Sequence, residues 1–224
     1  MLLNLLRGGD ITQIIIGICV SAFVVFCIIP VHEFAHAYVA YRMGDETARL
    51  KGRLTLRPMA HINWIGALMI LLVGFGYAEP VPVNIHNVKM KNKKLAMALI
   101  ALAGPATNLI LAVISMLLSF IIMRLSPSGG VFASAYVLFF NFCAVININL
   151  AVFNFLPVPP LDGSRILFAL IPTKYYFAVM KYERYIMIGL FVLLFLGILT
   201  TPLSWISDGI YKALFSLFSI IFRG

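Results

Sequence analysis

The chain has 224 residues, of which 62% are hydrophobic and only 11% charged, and its mean hydropathy of +1.01 lies well above that of soluble globular domains. Lysine and arginine outnumber the acidic residues by 17 to 8, which in so apolar a chain indicates membrane orientation and lipid contact rather than nucleic-acid binding. The length leaves no room beside several spans for a soluble domain of ordinary size, so we expect an integral membrane protein that acts in or near the bilayer.

The long apolar segments predict a polytopic helical protein. Four of them approach or exceed the roughly 20 residues that a helix needs to cross a bilayer. They are residues 11–39, 95–123, 131–155 and 185–202. Pro30 interrupts the first segment and is expected to kink its helix. The tail, residues 204–222, is predicted to be an interfacial helix, with a fifth span as the alternative.

Residues 64–77 form a shorter apolar stretch that contains three glycines. Its uninterrupted core of about 12 residues is typical of a re-entrant segment rather than a span. With this interpretation and four spans, thirteen of the 17 positive residues share one face of the membrane, which the positive-inside rule assigns to the cytoplasm. The alternating pieces at 53–57 and 80–85 predict short β-strands that flank the re-entrant hairpin.

The most specific pattern is His-Glu-Phe-Ala-His at residues 32–36, near the end of the first span. Side chains four residues apart share one face of a helix, so His32 and His36 can direct ring nitrogens at one ion. The spacing is typical of zinc sites, and Glu33 can act as a general base toward a water molecule that zinc activates. Three titratable groups in an apolar helix are costly without a function, which argues against histidines that only bond to backbone.

A catalytic zinc ion usually has three protein ligands and one open position. Asp162 is the strongest candidate for the third ligand, because the predicted topology brings it out of the membrane on the same face as the histidines. It follows Pro157, Pro159 and Pro160, which prevent the preceding span from continuing as a regular helix. The alternative is an ordinary turn, for which Asp-Gly at a helix boundary is also typical.

The His-Glu-x-x-His motif, together with Asn-x-x-Pro-x-Pro-x-Leu-Asp-Gly at residues 154–163, resembles the site-2 protease family of intramembrane zinc metalloproteases. The chain looks like a compact member without a PDZ or regulatory domain, and the pieces GRLTLRP, AEPVPVN and AGPATN are similar to the same family. The resemblance implies one zinc ion per chain, held by His32, His36 and Asp162. It also implies that Glu33 activates water to cleave a peptide bond within or near the membrane.

Three further residues are candidates for contacts with the substrate or the transition state. The resemblance implies such a role for Asn154, whose amide could steady a developing oxyanion, although a helix-terminal asparagine also serves as a cap or a bridge between helices. Asn108 has the same two interpretations, with helix packing favoured. His61 could position the substrate, although a loop histidine near the headgroups is more often structural.

We therefore predict an all-α polytopic metallopeptidase that forms a single domain over residues 1–224, with a catalytic core at about 11–172 and a C-terminal span and tail at 173–224. Its substrate would be a transmembrane protein and its surroundings the lipid bilayer of a prokaryotic plasma membrane, with no nucleic-acid partner and the active site toward the cytoplasm.

Two other classes of function stay open. The His and Asp cluster could be the ion site of a transporter or metal-handling protein, or the chain could be an inactive scaffold that binds membrane proteins. Glu33 favours hydrolysis over transport, since an ion pathway needs ligands but no base, and a scaffold could lose any of these groups without penalty.

Overall fold

The computed structural model describes residues 11–73, 78–126 and 129–222. Throughout this part of the chain every regular element is helical, and three helices are long and apolar enough to cross a membrane. The prediction of an all-α membrane protein is confirmed at that level. The chain divides into two compact units, of which the first ends at Ala96 and the second begins at Met97.

The first unit is organised around the helix that carries the His-Glu-x-x-His motif. Helix α1, Ile11–Phe23, continues through a π-helical turn at Val24–Ile28 into α2, Ile29–Arg42. The wide turn lies just before Pro30, where the ring removes a backbone donor and crowds the preceding turn. The distortion predicted at this proline therefore takes the form of a π-helical turn within a continuous helix.

A glycine ends α2 and directs the chain back toward the helix. Gly44 has a φ of 101°, a conformation that residues with a side chain rarely adopt. Its N–H bonds to the carbonyl of Tyr41, and the N–H of Asp45 bonds to the carbonyl of Ala40 at 3.0 Å. This arrangement satisfies carbonyls at the helix end and turns Asp45 inward.

The predicted β-strands at 53–57 and 80–85 are wrong, because the structure gives both segments turns and irregular backbone. Side chains rather than strand pairing hold them: the Arg53 guanidinium donates to the carbonyl of Ala60 and pairs with Glu79. Some of the apolar side chains of these two segments are buried in one cluster, in which Leu54, Val81 and Val83 pack against Ala37 and Ala48. Leu56, in contrast, is 55% exposed.

The predicted re-entrant segment begins with helix α4, Trp64–Val73. Its ten residues rise only about 15 Å, roughly half the thickness of the hydrocarbon core. The turn that a hairpin requires would fall on residues 74–77, outside the described residues. The re-entrant interpretation therefore stays a prediction. Before it lies α3, a single turn at Thr47–Leu50.

The second unit contains two candidate spans and a third long helix packed along them. Helix α5, Lys93–Leu125, begins at the boundary between the units and has 33 residues, and α6, Val131–Asn154, has 24. Helix α10, Thr200–Ile221, packs against both in two buried clusters. One cluster contains Met116, Phe120, Ala144 and Phe218, and the other contains Ala112, Ile148 and Val152 with the partly buried Leu203 and Ile210.

A chain of hydrogen bonds joins the same three helices. The hydroxyl of Tyr211 donates to Asn141 Oδ1 at 3.2 Å, and Asn141 Nδ2 donates to Ser119 Oγ at 3.1 Å. Polar pairs of this kind stabilise helix association where lipid offers no competing partner. Helix α10 packs along the candidate span α6, but among the described residues it is not by itself one of the three helices that are long and apolar enough to cross a membrane. An interfacial tail and a fifth span both stay predictions.

The predicted fourth span at 185–202 is interrupted. Helix α9, Glu183–Phe195, stops before Gly197, whose φ of 78° does not continue a right-handed helix. The next helix, α10, starts at Thr200, and the two axes meet at 77°. The structure thus supports three candidate spans, or up to four if this bent pair counts as one. Two short helices precede the pair, α7 at Asp162–Phe168 and α8 at Thr173–Met180.

We expect Phe218→Ala to destabilise the second unit by about 3 kcal/mol, because it leaves a cavity between α5, α6 and α10. Thermal unfolding in detergent measures this as a lowered midpoint. Leu217→Ala is the matched control, since that neighbour is 52% exposed and Phe218 only 7%. Equal midpoints for the two variants would contradict the packing of α10 described here.

Candidate metal centre

Helix α2, in the first unit, carries the motif residues His32, Glu33 and His36. The Nε2 atoms of His32 and His36 are 3.1 Å apart, and the rings meet edge to face with centroids 4.8 Å apart. His32, His36 and Glu33 are all buried, each with 7–8% of its surface exposed. Two imidazole nitrogens thus converge on one point, with a carboxylate on the same turn of helix.

This geometry fits a zinc ion. Zinc–nitrogen bonds of 2.0–2.1 Å at a tetrahedral angle separate two ligand nitrogens by about 3.3 Å. The observed separation of the His32 and His36 nitrogens, 3.1 Å, is close to that value. Neutral imidazole is also a preferred ligand of zinc. The histidine pair can therefore supply two of the ligands of a zinc site without rearrangement of the helix.

The carboxylate of Glu33 is held by the backbone of a distant segment. Its Oε2 accepts a hydrogen bond from the N–H of Val81 at 3.1 Å, and Val81 is itself only 6% exposed. One carboxylate oxygen is thereby fixed, which also restrains the position of the other, Oε1. The role of Glu33 as a general base stays a prediction. The sequence contains no pattern that identifies a backbone N–H as a partner of Glu33.

The structure also adds a residue to which the sequence analysis gives no role. Asp45 is fully buried, and its Oδ1 accepts hydrogen bonds from the N–H and hydroxyl of Thr47 and from Asn87 Nδ2. Its Oδ2 accepts the N–H of Asn84 at 2.7 Å. Burial by itself raises the pKa of the Asp45 carboxyl, but the bonds from Thr47, Asn84 and Asn87 together lower that pKa below its usual value.

Asp162, the predicted third ligand, lies in the second unit as the first residue of α7 and is 8% exposed. Its neighbour Gly163 makes a close approach to the turn after α6. A Cβ at Gly163 would lie 2.3 Å from the carbonyl oxygen of Phe155 and 2.4 Å from that of Leu156. The glycine is thus required by packing. The role of Asp162 as a ligand stays a prediction.

The other predicted site residues are found in different surroundings. Asn154 Nδ2 donates to the carbonyl of Leu150 at 2.9 Å, within α6. Asn108 is fully buried in α5, and neither of its amide atoms is hydrogen-bonded to any described residue. His61 is also fully buried, and its Nε2 donates to the carbonyl of Thr55 at 2.8 Å. Their substrate contacts stay predictions.

A histidine pair and a buried glutamate on a helix able to cross a membrane define the class of membrane-embedded metallopeptidases. The sequence model described as Peptidase family M50 matches residues 20–131 and 120–197. The chain belongs to this family, the site-2 protease family, and the resemblance noted in the sequence is confirmed. Zinc is accordingly its metal cofactor.

Individual proteins are similar to the chain over different lengths. It is 39% identical over 197 residues to a Bacillus subtilis protein named "Putative zinc metalloprotease YwhC", a match that covers 86% of this chain and 87% of that protein. It is 34% identical to the Mycolicibacterium smegmatis protein named "Putative zinc metalloprotease Rip2", over 59% of this chain and 49% of that protein. A Methanocaldococcus jannaschii protein named "Putative zinc metalloprotease MJ0611" is 33% identical, over 61% and 62% of the two chains. No solved structure matches the chain.

We expect Gly163→Ala to displace Asp162, because the added methyl group would collide with two backbone carbonyls. With the predicted role of Asp162 as a ligand, the variant should bind zinc more weakly. Overpacking of this kind costs about 1–3 kcal/mol. Zinc content per chain and the thermal unfolding midpoint, both in detergent, measure the effect. Gly189→Ala is the matched control, since a Cβ there meets no atom within 4 Å. Full zinc content with an unchanged midpoint in Gly163→Ala would contradict the close approach.

Proposed function

We propose that the protein is a zinc-dependent intramembrane endopeptidase, which hydrolyses a peptide bond within or near a transmembrane segment of another membrane protein. The observation that carries this proposal is the 3.1 Å approach of the His32 and His36 nitrogens beside the buried Glu33. All three lie on a helix that can cross a membrane. The zinc metalloprotease names of the relatives support the same reaction class.

We assign His32, His36 and Asp162 as the zinc ligands. Two neutral imidazoles and one carboxylate form a donor set typical of catalytic zinc, with one position left for water or substrate. When bound, zinc supplies a Lewis acid that polarises the scissile carbonyl and lowers the pKa of a water molecule. The close packing at Gly163 supports the assignment, because it fixes the backbone next to Asp162.

Glu33 is the general base and then the general acid. Its Oε1 takes one proton from the attacking water, whose oxygen adds to the carbonyl carbon of the scissile bond. When the carbon–nitrogen bond breaks, the same oxygen returns the proton to the leaving amine. Throughout, Oε2 stays hydrogen-bonded to the N–H of Val81, so the carboxylate does not rotate away from the reacting atoms.

The substrate must unwind where it is cleaved, because the carbonyls of a helix are engaged within the helix. Primary amides are suited to bind the exposed backbone, since each offers two N–H donors and one acceptor. Asn108 is buried with both amide atoms unbonded to the described residues. Asn154 uses one donor within α6, which leaves it a second. We assign both residues to substrate or transition-state binding. We assign His61 a structural role, in which its hydrogen bond to the carbonyl of Thr55 holds the loop that contains both residues.

We expect Glu33→Gln to keep about one zinc ion per chain and to lose turnover by about 100-fold or more, the usual contribution of a general base. Asp162→Ala should instead lose most of its zinc. Zinc content is measured on detergent-purified protein, and turnover is measured on single-span membrane proteins co-reconstituted with it in liposomes. Asp208→Asn, an exposed carboxyl on α10, is the control for loss of one negative charge.

Two outcomes would contradict the assignments. Turnover by Glu33→Gln at the wild-type rate would exclude Glu33 as the base. A wild-type protein that binds zinc, cleaves none of the single-span proteins and carries zinc across the liposome membrane would favour a metal transporter.

We place the active site toward the cytoplasm. In a background without Cys19, Cys27 and Cys143, we therefore expect Lys91→Cys to react with a membrane-impermeant thiol reagent only from the cytoplasmic side. Lys91 is exposed, whereas the neighbouring Asn92 caps α5 through Leu95 and is unsuitable. The control is Val131→Cys, which is 85% exposed at the start of α6 and should react only from outside. Labelling of both variants from one side would overturn the topology.

A further inference from the structure

One buried carboxylate joins the end of the zinc-binding helix to the segment that holds the general base. Asp45 follows Gly44, the residue that ends α2, and is fully buried. Its Oδ2 accepts the N–H of Asn84 at 2.7 Å and its Oδ1 accepts Asn87 Nδ2 at 3.2 Å. These donors lie about forty residues along the chain, so Asp45 makes a tertiary contact as well as the local turn with Thr47.

The segment that Asp45 binds is also the one that contacts Glu33. Val81, three residues before Asn84, donates its N–H to Glu33 Oε2 at 3.1 Å. At the other end of the segment, the N–H of Lys89 donates to the carbonyl of Met43 at 2.8 Å. Residues 81–89 are thus attached to α2 and its C-terminus at both ends. Between these ends Asp45 accepts bonds from residues 84 and 87, and the Thr47 hydroxyl accepts a further bond from Asn87.

A carboxylate is unusually well suited to this attachment. The N–H groups and hydroxyl at this position are all donors, so they need an acceptor on each side of the Asp45 carboxyl group. An amide in its place would put an NH2 group against one of these donors, whichever way it is turned. The lowered pKa of Asp45 agrees with this, because hydrogen bonds to the charged form stabilise it.

We propose that Asp45 is a positioning residue for the hydrolytic reaction. It fixes residues 81–87 so that the Val81 N–H stays on Glu33 Oε2 and Glu33 Oε1 stays directed at the reacting water. This role rests on the proposed function of Glu33 as general base. Asp45 itself touches neither the zinc ligands nor the substrate, so its removal should affect turnover more than zinc or substrate binding.

The test compares Asp45→Asn with Glu46→Gln in the full-length protein. Glu46 is the adjacent carboxylate, but its side chain is 53% exposed, and among the described residues it forms an ion pair with Arg49 at 3.8 Å. Three quantities are measured for both variants: zinc per chain, backbone hydrogen–deuterium exchange of residues 78–90 in detergent, and kcat and KM on a cleaved single-span membrane protein. Hydrogen–deuterium exchange can be measured without activity. It therefore tests whether Asp45 holds residues 81–87 independently of the hydrolytic reaction.

For Asp45→Asn we expect exchange of residues 81–88 to rise about tenfold, the factor that one net hydrogen bond supplies. We expect kcat to fall about 100-fold while KM stays within about twofold, as for a misplaced catalytic group. Zinc content should stay at the wild-type level. Glu46→Gln should match the wild type in all three measurements.

Several outcomes would overturn the proposal. Unchanged exchange in Asp45→Asn would show that the carboxylate does not hold the segment. Faster exchange with unchanged kcat would show that the segment does not orient Glu33, and loss of zinc would show a general structural role. If the wild-type protein cleaves nothing, the proposed protease function fails, and with it the positioning role, whereas the exchange data still decide whether Asp45 holds the segment.

Discussion

The free-energy cost of burying polar groups in an apolar helix is the constraint on which the rest of the first unit depends. His32, Glu33 and His36 lie in α2 with less than a tenth of their surfaces exposed. A buried carboxylate without a partner would be strongly destabilising. The N–H of Val81 satisfies one oxygen of Glu33, so a segment remote in sequence must reach the helix and stay there.

Glycine makes such close approaches possible at two places. Gly44 allows the chain to reverse at the end of α2 with a φ of 101°, and the reversal puts Asp45 where it can accept bonds from residues 84 and 87. Gly163 allows the start of α7 to lie against the carbonyls of Phe155 and Leu156. Asp45 directly follows Gly44, and Asp162 directly precedes Gly163. The backbone conformation that each glycine allows therefore fixes the position of the neighbouring carboxyl group.

Much of the site could be predicted from the sequence because its signals are local. The spacing of His32 and His36 is one helical turn, and the long apolar runs identify α2, α5 and α6. The strands at 53–57 and 80–85 could not be judged in this way. Leu54, Val81 and Val83 pack there on Ala37 and Ala48, whereas Leu56 is 55% exposed. An alternating apolar pattern has the period of a strand whether or not a partner strand exists.

The sequence does not predict the interruption at Gly197 or the role of Asp45, because each depends on backbone geometry that the residue pattern does not show. An apolar run reports that residues prefer lipid, but a single left-handed glycine decides whether the helix continues. The contact of Glu33 with Val81 uses a backbone donor, which every residue except proline carries and which therefore leaves no mark in the sequence. Asp45 offered one sequence signal, a carboxyl group directly after a helix-ending glycine.

The second unit meets the constraint of burial by different means. Among the described residues, α5, α6 and α10 bury no charged side chain. These helices associate through small and aromatic side chains and through the hydrogen bonds that join Ser119, Asn141 and Tyr211. Helix α10 lies wholly beyond residues 20–197, the part that the family model matches. Since lipid provides no hydrophobic force between helices, this packing and these hydrogen bonds are what keep α10 against α6. The tail can in this way stabilise α6, the long helix that precedes Asp162 in the chain.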